Sequence, residues 1–300
     1  MIKQKDLNFV KLRNVMIVMT IFALWFSVFF SEQIEGYISY ALIFSFGILH
    51  GSNDIQLIHI NAMRSAGKVS RKKVFLLYVS TVLAILLTFS FFPRVAFIFF
   101  IIISGFHFGE QHWNKYLIKK TVWNKLLYTL YGLFILFMIF YIKYEQASQV
   151  INDISGFQFQ EDVYLTITSV IGIALIIQLS FYLYFDFLKV SILEELFFLG
   201  IFFIIFKTAS LLWGFCVYFI VWHSIPSLVD QMNYLYGISN KWTLLQYLKS
   251  SWKYWLISLI GLFGLYFLLK EDNQFFASIM LYFLAAITFP HVIVMSRLEK

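Results

Sequence analysis

Six histidines are the residues of this chain best suited to chemistry, because imidazole binds transition metals and exchanges protons near neutral pH. They are His50, His59, His107, His112, His223 and His291. Every one of them lies inside or at the end of a long apolar stretch rather than in a polar loop. An ionisable side chain within a bilayer is costly and is usually functional. The histidines are therefore the first candidates for a metal site.

Two of the histidines are each followed by an acid about one helical turn later. Asp54 comes four residues after His50, and Glu110 comes three residues after His107. Residues at these spacings share a helix face. A carboxylate often accepts a hydrogen bond from the outer nitrogen of a metal-bound imidazole and so holds the ring in place. We therefore predict that Asp54 and Glu110 orient imidazoles rather than act as acid or base.

Helical geometry separates two histidines from their neighbours. His59 is nine positions from His50, which is about 180° around a helix, so both cannot face one centre. His112 is rotated by about 140° from His107. A single histidine at a helix end is more often a hydrogen-bonding residue than a ligand. We expect His59 and His112 to be peripheral.

Prolines accompany the other two histidines. Pro226 should break the helix one turn below His223, and Pro290 directly precedes His291. A proline frees a backbone carbonyl in the preceding turn. The predicted metal ligands are His50, His107, His223 and His291. A set of histidines with few carboxylates suits iron, zinc or copper better than magnesium or calcium.

The composition places these residues in a membrane protein. Apolar residues make up 61% of the chain and charged residues only 13%, against roughly 45–50% and about 25% in soluble proteins. The apolar stretches are continuous rather than alternating, which indicates helices and excludes a β-barrel. We therefore predict an all-α, polytopic transmembrane helical bundle that forms a single domain over residues 1–300. Gly51, Gly105 and Gly109 predict close helix approach beside the candidate ligands.

Ten apolar stretches are long enough to cross a bilayer, which takes about 20 residues. They cover residues 14–31, 37–60, 74–91, 95–113, 126–142, 163–185, 191–206, 208–226, 254–269 and 275–296. Only Lys207 separates 191–206 from 208–226, so the sequence leaves a range of eight to ten spans. The segment 143–162 is the one sizeable acidic loop between them.

The distribution of positive charge predicts the orientation in the membrane. If the N-terminus is cytoplasmic, the inner segments hold 19 of the 23 lysines and arginines. Such an excess is typical of cytoplasmic loops, so we expect both termini to be cytoplasmic. This topology also accounts for the net charge of +7 without a nucleic-acid partner. The candidate ligands then lie on spans of one direction, in the cytoplasmic half of the membrane.

At these residues the chain resembles the bacterial and archaeal beta-carotene 15,15'-dioxygenase family of the Brp/Blh type. The resemblance covers about residues 45 to 295 and rests on His50-Gly51 with Asp54, His107-Phe108-Gly109, Trp222-His223 and Pro290-His291. It implies a multi-pass protein of the bacterial inner membrane. It further implies an enzyme that cleaves beta-carotene at its central double bond with O2 and gives two retinal molecules.

The same resemblance implies a cofactor and partners. The family's iron is ferrous, Fe(2+), and is thought to be held by histidines alone, of which His50, His107 and His223 are the matches here. Members commonly carry another histidine four residues after the one matched by His223, where this chain has Ser227. We predict that His291 supplies the fourth ligand instead. Retinal made by the family supplies microbial rhodopsins, so a rhodopsin is an implied recipient of the product.

Two other functions would use the same histidines. A haem-binding electron-transfer protein would need paired histidines on facing helices, and the four candidates could form two pairs. A proton-coupled transporter could use Asp54 and Glu110 with the histidines as a relay. The sequence shows no internal repeat of the kind that many transporters have, which counts against the second function.

Overall fold

The computed structural model describes residues 2–66, 70–269 and 276–298, and almost every apolar stretch in these ranges is helical. The α-helices are α1 (Ile2–Phe29), α2 (Glu32–Leu42), α3 (Ile48–Gly51), α4 (Asp54–Ala66), α5 (Arg71–Phe91), α6 (Pro93–Trp113), α7 (Asn124–Ile142), α8 (Tyr144–Ser155), α9 (Glu161–Tyr184), α10 (Ile192–Thr208), α11 (Leu211–Val217), α12 (Ile225–Tyr236), α13 (Lys241–Leu269) and α14 (Phe276–Leu298). Two π-helical segments cover Ile43–Gly47 and Tyr218–Ser224. The prediction of an all-α fold is confirmed.

Seven helical stretches within the described residues are long and apolar enough to cross a membrane. They are Val10–Phe29, Arg71–Phe91, Pro93–Tyr116, Asn124–Ile142, Glu161–Tyr184, Leu211–Tyr236 and Ile279–Ser296. The chain is therefore a multi-pass membrane protein by the length and composition of its helices. The predicted spans 37–60, 191–206 and 254–269 are helical but lie outside this set, so the total of eight to ten stays a prediction. The orientation of the termini stays a prediction as well.

Two details of the structure differ from the sequence prediction. The acidic segment 143–162 is not mainly a loop, because it contains α8, an amphipathic helix that buries Ala147, Ile151 and Ile154. The break before the eighth predicted span lies at Ala209 and Ser210, after α10 has ended, rather than at Lys207. The Ser210 hydroxyl accepts a hydrogen bond from a backbone N–H in the first turn of α11. A serine at this position satisfies a group that the helix itself cannot.

The helix that carries His223 continues where the sequence predicted a break. Pro226 lies in the first turn of α12, which runs on to Tyr236. The π-helical segment before it takes up the irregularity, since the N–H of Ile225 donates to the carbonyl of Ile220 five residues back. Predicted span 37–60 is likewise interrupted by a π-helical segment. Such segments are often found at functional sites.

The close approach of α6 and α7 fixes the position of His107. A Cβ atom on Gly109 would collide with the backbone carbonyl of Tyr128, and one on Gly132 would collide with that of Gly105. Small residues let two membrane helices touch along their backbones, where packing replaces the hydrophobic effect. The expectation for Gly105 and Gly109 is therefore confirmed.

Candidate metal centre

Four buried imidazole rings meet inside the bundle from four separate parts of the chain. His50 lies in α3, His107 in α6, His223 in the second π-helical segment and His291 in α14. The ring of His50 is centred 5.4 Å from that of His223 and 4.8 Å from that of His291. The ring of His107 is 4.6 Å from His223 and 5.1 Å from His291. The four histidines predicted from the sequence therefore share one site.

Three of these rings are placed so that they could hold one metal ion. His50, His223 and His291 each offer a ring nitrogen, and the three nitrogens lie within 4.8 Å of one another. All three residues are buried. Ligands that are nitrogen atoms favour iron, zinc or copper over magnesium and calcium.

Four of the eight ring nitrogens in the cluster have no hydrogen-bond partner in the part of the chain that the structure describes. The buried nitrogens without a hydrogen-bond partner are both nitrogens of His107, Nδ1 of His223 and Nε2 of His291. A buried polar atom without a partner costs about 1–3 kcal/mol. Several such atoms at one point indicate that something else binds them, and a transition metal is the group that imidazole nitrogens suit best. The residues present therefore fit a metal ion.

Asp54 holds one of the rings in a defined state. Its carboxylate accepts a hydrogen bond from Nδ1 of His291, with N–O distances of 2.9 and 3.1 Å. It accepts another from the hydroxyl of Tyr78 at 2.9 Å. Because a carboxylate only accepts, Nδ1 of His291 carries the proton and Nε2 keeps its lone pair. Asp54 thus orients His291 on a distant helix rather than His50, its neighbour in the sequence.

His50 is oriented by its own helix and by two side chains. Its Nδ1 donates to the carbonyl of Gly47 one turn earlier, which leaves Nε2 for a metal. Its backbone carbonyl accepts hydrogen bonds from the Gln231 amide at 2.8 Å and the Tyr247 hydroxyl at 3.2 Å. This carbonyl is available because α3 ends at Gly51. The sequence did not predict the contacts of Gln231 and Tyr247 with His50, since both residues lie in polar stretches far along the chain.

Glu110 does not form the predicted pair with His107. Neither ring nitrogen of His107 has a hydrogen-bond partner among the described residues. Glu110 lies in the same helix and is only partly buried. A shared helix face brings two side chains near each other but does not by itself bring them within hydrogen-bond distance.

The remaining histidines lie outside the cluster, as expected. Nε2 of His112 donates to Glu195 at 2.8 Å, and its ring stacks on Tyr131 with centres 4.6 Å apart. His59 lies in α4, beyond the interruption that follows His50, and belongs to no group of candidate metal ligands in the described residues. Glu195 lies in the first turn of α10, and no sequence pattern pairs it with His112.

Ser227 takes part in the support of His50. The serine is fully buried, and its hydroxyl accepts a hydrogen bond from the Gln231 amide at 3.2 Å. The same amide nitrogen donates to the carbonyl of His50. The group of three candidate ligands contains His291, which is the residue predicted to compensate for a serine at this position.

An apolar cavity of about 710 Å³ opens onto the histidine cluster, and all four rings line it. One face each of α5, α13 and α14 contributes to the lining of this cavity. The residues are Phe75, Val82 and Leu86 of α5, Tyr254, Ile257 and Gly264 of α13, and Phe283, Leu284 and Ile287 of α14. Cavities of about 300–1,000 Å³ are typical for small-molecule ligands. This one is lined mainly by hydrocarbon side chains, so it suits an apolar ligand.

Phenylalanine rings pack directly on the histidines. Phe219 stacks on His223 with ring centres 5.8 Å apart and meets His50 edge to face at 5.5 Å. Phe108 lies 4.7 Å from the ring of His223. These contacts restrict how far the imidazoles can turn. They also identify the phenylalanines near the site, which the sequence could not do among 37 candidates.

The family model for beta-carotene 15,15'-dioxygenase matches residues 41–299, a range that contains all four histidines of the cluster and most of the residues that line the cavity. The chain belongs to the beta-carotene 15,15'-dioxygenase family. No curated protein and no solved structure matches it. Membership of the beta-carotene 15,15'-dioxygenase family confirms the resemblance and assigns the chain to a family of enzymes that cleave carotene oxidatively.

The geometry gives no support to a haem-binding function. Neighbouring imidazoles in the cluster meet at 78° to 90°, with centres 4.6 to 5.4 Å apart. A haem would need a flat gap between two facing rings, which this packing does not leave.

Proposed function

We propose that the protein is an iron-dependent dioxygenase that splits beta-carotene at its central 15,15' double bond and gives two retinal molecules. The observation that carries this proposal is the cluster of four buried histidines at the wall of an apolar cavity. The reaction balances without another reactant. The C15–C15' double bond breaks, and each of its carbons receives one oxygen atom of O2 as an aldehyde, so no external reductant is consumed.

The proposed ligands are His50, His223 and His291, with His107 as the fourth. Support comes from the three nitrogens that lie within 4.8 Å of one another and from the unpartnered nitrogens of His107 beside them. Ferrous iron, when bound, supplies the activation of O2. The chain's own contribution is to keep each imidazole neutral, with one nitrogen directed to the ion.

Residues behind the ligands would maintain that state. Asp54 keeps the proton of His291 on Nδ1, and Tyr78 fixes the carboxylate from the opposite side. Gln231 and Tyr247 hold the backbone of His50. Partners of this kind usually matter to metal affinity nearly as much as the ligands themselves.

The cavity would bind the polyene and exclude water. Its lining includes Leu83 of α5 and Ile257 of α13, whose side chains are 54% and 50% exposed. These exposures support an opening of the cavity towards the lipid between the two helices. A carotenoid dissolved in the bilayer would enter sideways without crossing water.

The proposed location is the bacterial inner membrane, with both termini in the cytoplasm. The excess of lysine and arginine in the predicted inner segments supports this orientation. Retinal is itself apolar and would leave by the route that carotene enters. A microbial rhodopsin in the same membrane is the proposed recipient.

The test is expression in a bacterium that accumulates beta-carotene, followed by chromatography of the extract. The unmodified protein should remove beta-carotene and produce retinal. The variant His50→Ala should reach the membrane in equal amount, lose iron on elemental analysis and form no retinal. The control His59→Ala, which lies outside the cluster, should behave as the unmodified protein does.

Other results would overturn parts of the proposal. Full retinal formation by the His50→Ala variant would refute the site. Removal of carotene with a shorter apocarotenal as product would refute cleavage at the central bond. Carotene that persists although the protein is folded and contains iron would refute the substrate.

A further inference from the structure

A second cavity, of about 670 Å³, lies at one edge of the bundle between α4, α5 and α13. Four of its lining residues are cations, namely Arg71, Lys72, Lys249 and Lys253. Gln56 and Ser250 add polar groups, and no acid is among the residues that line it. The cavity is thus lined with positive charge and hydrogen-bond donors.

The fold itself brings these cations together. Arg71 and Lys72 occupy the first turn of α5, where the backbone N–H groups of a helix also attract anions. Lys249 and Lys253 are one turn apart on α13, so they project from one face. The ion pairs found within the described residues include none of the four. Four positive charges around one cavity repel one another unless an anion lies between them.

The positive-inside rule alone does not account for this pocket. The rule requires only that lysine and arginine lie on one side of the membrane. Lys189 and Lys241, also in predicted inner segments, meet that requirement outside the pocket and are as exposed as the four cations that line it. The pocket adds a concave site between helices, which the rule does not require.

The basic pocket continues into an apolar region. Four residues line both this pocket and the cavity that opens onto the histidine cluster, namely Ile55, Phe75, Tyr254 and Ile257. Phe75 and Tyr254 have ring centres 6.2 Å apart across the two helices. A ligand that fits the whole surface needs an anionic head beside an apolar chain. Inorganic phosphate would match the polar part alone.

We propose that this pocket binds the phosphate headgroup of an anionic phospholipid, with the acyl chains lying along α5 and α13. Basic pockets between membrane helices are suited to acidic lipid headgroups. The proposal stands independently of the metal centre, because none of the four histidines lines the pocket. Its occupant would border the proposed lateral opening of the large cavity.

The test compares the protein in nanodiscs of phosphatidylcholine alone with nanodiscs that contain phosphatidylglycerol. Phosphatidylglycerol should raise the Tm of the unmodified protein. The variant Lys249→Gln/Lys253→Gln should lose this increase and bind phosphatidylglycerol about 30-fold more weakly, given the usual attraction of each lysine to an anionic lipid. The control Lys189→Gln/Lys241→Gln removes the same charge elsewhere and should keep the increase.

Further arms separate the sources of phosphate and guard against misfolding. An equal effect of inorganic phosphate would show that a free anion, not a lipid, is bound and would overturn the proposal. Retention of the full increase by Lys249→Gln/Lys253→Gln, or its loss in the control, would overturn it too. The variant Lys249→Arg/Lys253→Arg keeps the charge and should restore binding, which a merely structural defect would not show.

Discussion

At the scale of single residues, the site depends on which nitrogen of each imidazole carries the proton. Asp54 accepts a hydrogen bond from Nδ1 of His291, and the carbonyl of Gly47 accepts one from Nδ1 of His50. These two rings therefore leave Nε2 available for a metal. His107 has no such partner on either nitrogen within the described residues. Two rings are therefore set before any metal binds, and His107 is left to adapt to it.

The first prediction concerns Asp54. The variant Asp54→Asn keeps the size of the side chain but weakens the acceptor for Nδ1 of His291 and for Tyr78. We expect metal affinity to fall by about 10- to 100-fold, which is usual when a carboxylate behind a ligand is removed. Competition with a chelator, followed by elemental analysis, measures this change.

Glu110→Gln is the matched control for this experiment. It removes the same charge from a residue that the structure does not join to His107. Its metal affinity should equal that of the unmodified protein. If instead Glu110→Gln lost metal and Asp54→Asn kept it, the pairing seen in the structure would be refuted in favour of the one predicted from the sequence.

A second prediction separates His112 from the ligands. The variant His112→Ala leaves the buried Glu195 without its hydrogen-bond donor and should lower the free energy of unfolding by about 1–3 kcal/mol. Its metal content should stay unchanged, since His112 lies outside the cluster. Thermal unfolding and elemental analysis of one preparation give both quantities. Loss of metal from a folded His112→Ala protein would contradict the assignment.

At the scale of helices, the sequence predicts where a helix forms better than it predicts whether that helix is regular. Long apolar stretches locate helices such as α5 and α6, because lipid leaves few other structures for the backbone. The π-helical segment before His50 and the one that contains His223 were not predicted from the sequence. Pro226 correctly indicated an irregular region near His223. The prediction of a helix break was wrong, because the structure has a π-helical segment there and the helix continues.

The third prediction concerns the contact between α6 and α7. A Cβ atom on Gly109 would meet the backbone carbonyl of Tyr128, so Gly109→Ala must push the two helices apart. We expect a loss of about 1–3 kcal/mol in the free energy of unfolding. Metal content should also fall, because α6 carries His107.

The control for this contact is Gly200→Ala in α10. Nothing lies within 4 Å of a Cβ atom at Gly200. Alanine favours a helix over glycine by up to about 1 kcal/mol, so this variant should be equally or more stable. A Gly109→Ala protein as stable as the control would show that the helices do not touch there.

At the scale of the whole molecule, the histidine cluster and the cavity belong to one arrangement of helices far apart in the sequence. α5 and α13 both pack against α14, and α14 brings His291 to the wall of the cavity. The four histidines could be predicted because an ionisable side chain within a bilayer is costly and is usually functional. The partners Tyr78, Gln231 and Tyr247 could not, because only the packed bundle brings them near.

The last prediction tests whether the substrate reaches this cavity from the bilayer. Gly264 lies on α13, lines the cavity, is exposed and has no atom within 4 Å of a Cβ position. The variant Gly264→Phe should therefore fold and keep its metal while its ring narrows the opening between α5 and α13. We expect kcat/KM for beta-carotene to fall by about tenfold or more, since crowding a fitted space costs about 1–3 kcal/mol.

The matched variant is Ile260→Phe, one turn earlier on the same helix. Ile260 is 63% exposed and does not line the cavity, so a phenylalanine there meets lipid alone. Its kcat/KM should equal that of the unmodified protein. Equal rates for both variants, at equal metal content, would mean that carotene enters elsewhere. A loss for Gly264→Phe alone would place the entrance between α5 and α13, because the two changes add the same ring to the same helix and only Gly264 lines the cavity.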